Sequence, residues 1–208
     1  MARVRNELGI CGKLGDLFFY RRDGKDYVKR IGKRKTVKCS EEQWRHRMRF
    51  RTAAKFASRL PEEVRHVLDV AAASRRGWSG QTFFMKQNLK AFHPDGTLKD
   101  PEALQFSDGL RGWAYMLRVE THEGNGQLTL CWSDELDVDE AERQDRLVVF
   151  AIRERLSFQV EVVNVTATRE DGQVELPLEK EEGSLTHLFC CWMAPDGKSV
   201  SPTQHVAI

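Results

Sequence analysis

The sequence predicts an α+β protein: a basic β-hairpin and a small helical region, followed by a β-sandwich. Three observations predict it. An aromatic stretch at 17–21 meets the turn pair Asp23-Gly24 and a returning segment at 27–31. Apolar residues then recur at helical spacing across 40–93. From Asp95 onward, short strand-like segments alternate with turn signals.

The chain opens with Gly9, Gly12, Lys13 and Gly15, a spacing that invites comparison with a phosphate loop. A phosphate loop needs four residues between its first glycine and Gly-Lys, then Ser or Thr for magnesium. Here only Ile10 and Cys11 intervene and Leu14 follows the lysine, so the glycines read as bends leading into a strand. Asp-Gly is a favoured two-residue hairpin turn. It sets Tyr20 opposite Tyr27 and Phe19 opposite Val28, giving aromatic and apolar cross-strand contacts.

After a basic connector at 31–38, Ser40-Glu41-Glu42-Gln43 gives the clearest helix start. Ser40 and Gln43 form a capping box, and the two glutamates complement the helix dipole. This helix is expected to reach Leu60, ahead of Pro61. Phe50, Ala53, Ala54, Phe56, Ala57 and Leu60 gather on one face. Arg47, Arg51, Lys55 and Arg59 form an i, i+4 ridge on the other, with Trp44 and Met48 beside it. Val64, Val67, Leu68, Ala71 and Ala72 mark the buried face of a second helix. A third covers 80–92, capped by Ser79, with Phe84, Met85, Asn88, Leu89 and Phe92 inward.

Strands are expected at 112–119, 127–132, 146–153, 157–165, 173–178, 185–193 and 199–206. About seven short strands in a hundred residues is the count of an immunoglobulin-like sandwich. Leu128, Leu130 and Trp132 alternate inward with Cys131 facing away, and Leu188, Cys190 and Trp192 line a later strand. These residues, with the late turn Asp196-Gly197, resemble those of fibronectin type III and related immunoglobulin-like domains. The expected parts are 1–100, the hairpin with three helices, and 105–208, the sandwich.

Charge is distributed unevenly. Residues 1–60 hold 18 Lys and Arg against 6 Asp and Glu, a net of +12, and the remainder nets −10. A cationic end calls for an acidic partner. No apolar run approaches the ~20 residues of a membrane span, and the N-terminus lacks the apolar core of a signal peptide. The five cysteines are odd in number and show no C-x-x-C pair. Reduced thiols and a cytoplasmic location, away from membranes, are therefore expected.

The first quarter also resembles an uncharacterised family from Bacteroidetes, a domain of unknown function. Its members open with G-K-L-G-N-L, then Y-[KR]-x-N-G-K and a V-x-R strand, followed by a helix with T-x-x-Q and R-x-R-F. The matching residues are Gly12-Lys13-Leu14-Gly15, Leu17, Tyr20-Arg21, Gly24-Lys25, Val28, Arg30, Gln43, Arg47, Arg49 and Phe50. Asp16 and Asp23 stand where the family has asparagine, and Ser40 replaces its threonine. The resemblance implies the same two-part order of elements and carries no activity.

No sequence motif for catalysis is present. The six histidines form neither H-x-x-x-H nor H-E-x-x-H, and no G-x-S-x-G elbow occurs. The acidic run 133–145, with Asp134, Glu135, Asp137, Asp139 and Glu140, lacks the glycine and terminal glutamate of an EF-hand. The expectation is a protein that is not an enzyme and takes no cofactor or metal. Its basic residues Arg21, Arg22, Lys25, Lys29, Arg30, Lys33, Arg34, Lys35, Arg47, Arg51, Lys55 and Arg59 would bind a polyanion. Nucleic acid is one ligand, with Tyr20, Tyr27 or Trp44 stacking on unpaired bases. The alternative is a structural protein of a phage-like or other assembly. There the basic arm docks on an acidic protein surface, including that of a second copy.

Overall fold

A computed structural model describes residues 2–3, 9–32, 38–121, 127–133, 142–153, 159–179 and 185–208. Within it the chain forms two compact units, Met1–Ser40 and Glu41–Ile208. Helices and antiparallel sheets are both present, as an α+β protein requires.

The first unit is a four-stranded sheet of β1 (Ala2–Arg3), β2 (Gly12–Leu14), β3 (Leu17–Arg22) and β4 (Lys25–Arg30), in the order β1-β4-β3-β2. Its central hairpin has the expected register, with Tyr20 opposite Tyr27 and Phe19 opposite Val28. Asp23 and Gly24 both take positive φ, 52° and 71°, which is the type I′ geometry that matches strand twist. The glycine-rich lead-in does more than bend. Gly12–Leu14 pairs with Leu17–Phe19 as an edge strand that apolar alternation did not signal.

The second unit begins with α1 (Glu41–Ala57), α2 (Glu62–Ala73) and α3 (Gly80–Asn88). Ser79 caps α3, its hydroxyl accepting from the Thr82 amide at 3.2 Å. Seven strands follow among the described residues: β5 (Tyr115–Thr121), β6 (Gln127–Ser133), β7 (Arg146–Arg153), β8 (Val160–Val163), β9 (Gln173–Glu179), β10 (Thr186–Met193) and β11 (Gln204–Ala207). They form the antiparallel sheets β5-β6-β9 and β11-β10-β7-β8. Part of the strand expected at 157–165 lies outside the described residues; the portion seen is Val160–Val163.

The two sheets enclose a core of Leu128, Leu130, Trp132, Val149, Leu176, Leu188, Cys190 and Trp192, among others. Trp132 and Trp192 meet edge to face at 5.2 Å, and the Trp132 indole N–H donates to the Arg169 carbonyl at 2.7 Å.

The opposite face of β7 and β10 is buried too. Phe150, Ile152, Phe189 and Cys191 pack with Phe56, Val64, Leu68, Phe84 and Phe92 of the helical segment. Phe106 joins the layers, lying 6.2 Å from Phe84, 5.6 Å from Phe150 and 5.2 Å from Phe189. The boundary expected near residue 105 thus falls inside one packed unit.

Candidate functional site

The described members of the expected basic set occupy two surfaces, one in each unit. Lys33, Arg34 and Lys35 lie outside the described residues.

On the hairpin, register and alternation divide the cations between two faces. Arg21 shares its face with Asp26, and their side chains pair at 2.9 Å. The arginine holds the Asp26 carboxyl below the usual carboxylate range, mainly through that hydrogen bond. Arg30 lies on this face as well. Arg22, Lys25 and Lys29 lie on the other face with Phe18, Tyr20 and Tyr27, and Lys13 joins them opposite Phe18. Arg22 is 3.7 Å from Asp23 in the turn. The Lys29 ammonium stands 5.3 Å from the Phe18 ring centre and 5.8 Å from that of Tyr20.

α1 ends at Ala57, short of the expected Leu60; along it and the turn that follows, burial of Ala53, Phe56, Ala57 and Leu60 fixes which side faces out. Arg47, Arg51, Lys55 and Arg59 are all exposed, and none makes an ion pair among the described residues. Arg51, Lys55 and Arg59 line a cavity of about 340 Å³ together with Met48, Thr52, Phe56 and Gly96. Arg47 lies one turn away and does not line it. Like charges at i, i+4 destabilise a helix by a few tenths of a kcal/mol each. The helix itself therefore has no use for this ridge. Phe50 departs from expectation: assigned to the buried face, it is 51% exposed, as is Trp44 at 54%. The first two turns of α1 contribute no residue to the core.

Sequence reasoning missed Lys13 and Phe18 as members of the hairpin's basic aromatic face. Strict alternation outward from the Asp23-Gly24 turn identifies both, once 12–14 is recognised as a strand.

Elsewhere, polar clusters serve the fold. Asp145 is fully buried, 3.3 Å from Arg111 and 3.7 Å from Arg169. Burial raises its carboxyl, and the two guanidiniums partly oppose that shift. Arg169 donates to the Gly112 and Trp113 carbonyls and stacks over Trp192 at 4.9 Å, tying 112–113 to the sandwich. Burial pushes the Cys191 thiol up to about 12, so it is no thiolate nucleophile at neutral pH. His187 and His205 share a 2.9 Å hydrogen bond. No group of three or more His, Cys, Asp or Glu side chains with metal-binding geometry occurs among the described residues. No described helix is long and apolar enough to cross a membrane. Of the acidic run, 134–141 lies outside the described residues.

No protein-family model matches the chain, and no curated protein matches it.

Proposed function

We propose that this is a non-enzymatic binding protein whose basic N-terminal region engages a polyanion, with nucleic acid as the ligand class. The observation that carries this reading is the basic ridge along α1 and the turn after it. Arg51, Lys55 and Arg59 crowd one cavity without described counter-ions, an arrangement that favours an external anion. Phe56 gives that cavity an apolar wall. In the same reading the facing sheets β5-β6-β9 and β11-β10-β7-β8 are a fibronectin type III-like sandwich, with β8 pairing beside β7 rather than joining the first sheet. This sandwich serves as the scaffold. The five free thiols suit a reducing, cytoplasmic setting.

Retention on heparin and on duplex DNA at ~50 mM salt tests the proposal. Each phosphate neutralised adds about 0.9 to the log–log salt slope on duplex DNA. R51E/K55E lowers that slope and weakens binding to all sequences alike. No retention of the unaltered protein would overturn the reading.

Assembly is the second reading, and one observation favours it. Leu110, Trp113, Tyr115 and Met116 are 101%, 61%, 50% and 60% exposed. They lie at or just before β5, an edge strand. Exposed apolar side chains so closely grouped suit a protein contact. Sedimentation that depends on concentration, and is abolished in W113S/M116S, supports this reading; a monomer at every concentration rejects it.

A further inference from the structure

We infer that the aromatic face of the N-terminal sheet is a stacking platform for single-stranded nucleic acid. This inference rests on the polyanion reading and narrows it to a ligand with unpaired bases.

The register places Lys13, Phe18, Tyr20, Arg22, Lys25, Tyr27 and Lys29 on one face of the sheet. None of these residues is acidic. Among the described side chains the face thus combines three rings with four cations, whereas the opposite face holds the Arg21–Asp26 pair. The rings form a continuous run. Tyr20 and Tyr27 are 5.6 Å apart with planes 20° from parallel, and Phe18 is 6.3 Å from Tyr20. They occupy the two central strands, β3 and β4, while Lys13 stands on edge strand β2. Lys25 and Arg22 close the platform at the turn end.

This layout suits one ligand chemistry. Bases in a duplex hide their faces in the stack, so rings on a sheet surface gain nothing from them. Unpaired bases lie flat on aromatic side chains irrespective of sequence, and flanking cations track the backbone. Four-stranded sheets that bind RNA stack two or three bases in this way. Lys29 is placed for a particular part in this. Its ammonium lies over the Phe18 and Tyr20 rings, so a phosphate that draws it aside frees their faces for the attached base. An acidic protein would pair with the cations and leave the rings without a role.

The test compares oligo-dT of about a dozen nucleotides with a duplex of equal length, using the full chain at ~100 mM salt. One stacked base is worth about tenfold in affinity. Oligo-dT should therefore bind at least about tenfold more tightly than the duplex. Tyr20→Leu and Tyr27→Leu should each weaken oligo-dT binding by about tenfold and leave heparin retention unchanged, while Tyr20→Phe retains it. Because ring removal also takes packing from a small sheet, Lys29→Gln supplies an exposed second variant. It should lower the single-strand salt slope by about 0.7.

Equal affinity for both forms, or oligo-dT binding unmoved in Tyr27→Leu and Lys29→Gln, would overturn the platform while heparin retention keeps the broader reading. Equal competition by poly-glutamate would also overturn it. A protein retaining neither heparin nor DNA would fail both proposals together.

Discussion

Trp132 shows how one residue connects sequence pattern to stability. Its place in Leu128-x-Leu130-x-Trp132 aims it between the sheets, where it packs edge to face on Trp192 and donates to the Arg169 carbonyl. Trp132→Ala should cost roughly 3–5 kcal/mol, read as a lowered urea midpoint. An unchanged midpoint would show that the indole is not a core group. Arg169 is a different kind of buried residue. Its 3% exposure and its proximity to fully buried Asp145 make it one half of a compensated charge pair. Arg169→Met should cost about 3–5 kcal/mol, because Asp145 loses one of two compensating cations inside the protein. Adding Asp145→Asn should recover part of that loss. Additive losses in the double variant would disprove the coupling. Neither residue's partner was legible in the sequence, since Arg169 and Asp145 lie on separate segments that only the folded sheets bring together.

At the scale of elements, legibility followed the range of the signal. The hairpin register was written in two residues, Asp23-Gly24, and the buried stripe of α2 in five apolar positions at helical spacing. The outward turn of Phe50 was not, because which face of α1 is covered depends on where α3 and the 89–92 segment lie. Burial of both faces of β10 did have a local trace. The run Leu188-Phe189-Cys190-Cys191-Trp192 is continuously apolar, as strands covered on both sides are. Gly109 illustrates a close approach that no periodicity reveals: a Cβ there would lie 1.9 Å from the Val200 carbonyl oxygen. Gly109→Ala should force the 107–111 connector away from Val200 and cost about 1–3 kcal/mol; an unaltered melting temperature would contradict that packing. The β10–β11 pair carries a pH response. Burial and neighbouring His187 lower the His205 imidazole from its usual 6.5, although Glu102 and Asp100 oppose the shift. Its depressed folded value means that the unfolded chain binds the proton more readily. The stability contribution is therefore complete above about pH 6.5 and is lost as pH falls through the folded value. His205→Gln should flatten the stability profile below that pH, and an unchanged profile would assign the acid response to other groups.

Across the whole molecule, stability and charge are unequally shared. Neither buried cluster includes a described residue from the first 40 positions. That unit is a small sheet at the size where isolated domains become marginal, and it carries 12 Lys and Arg against 4 Asp and Glu. Unit 41–208 has two cores, one on each side of the β7–β10 sheet. Such a distribution predicts different protection of backbone amides, because local opening is easiest where few apolar contacts are buried. Amides of β3 and β4 should exchange faster than those of β7 and β10, in the same full-length protein and at one pH. The basic sheet also carries the proposed stacking platform, so a single-stranded ligand should act on it as well as on the Arg51, Lys55 and Arg59 ridge. A ligand at 100 times its Kd stabilises the state it binds by about 2.7 kcal/mol. Saturating oligo-dT should therefore slow exchange across β3 and β4 by up to about a hundredfold, while β10 remains unchanged. Without ligand, equal protection of β3 and β10 would show that the small sheet is as firmly held as the sandwich. Protection that rises in β10 and not in β3 would move the binding site away from the hairpin.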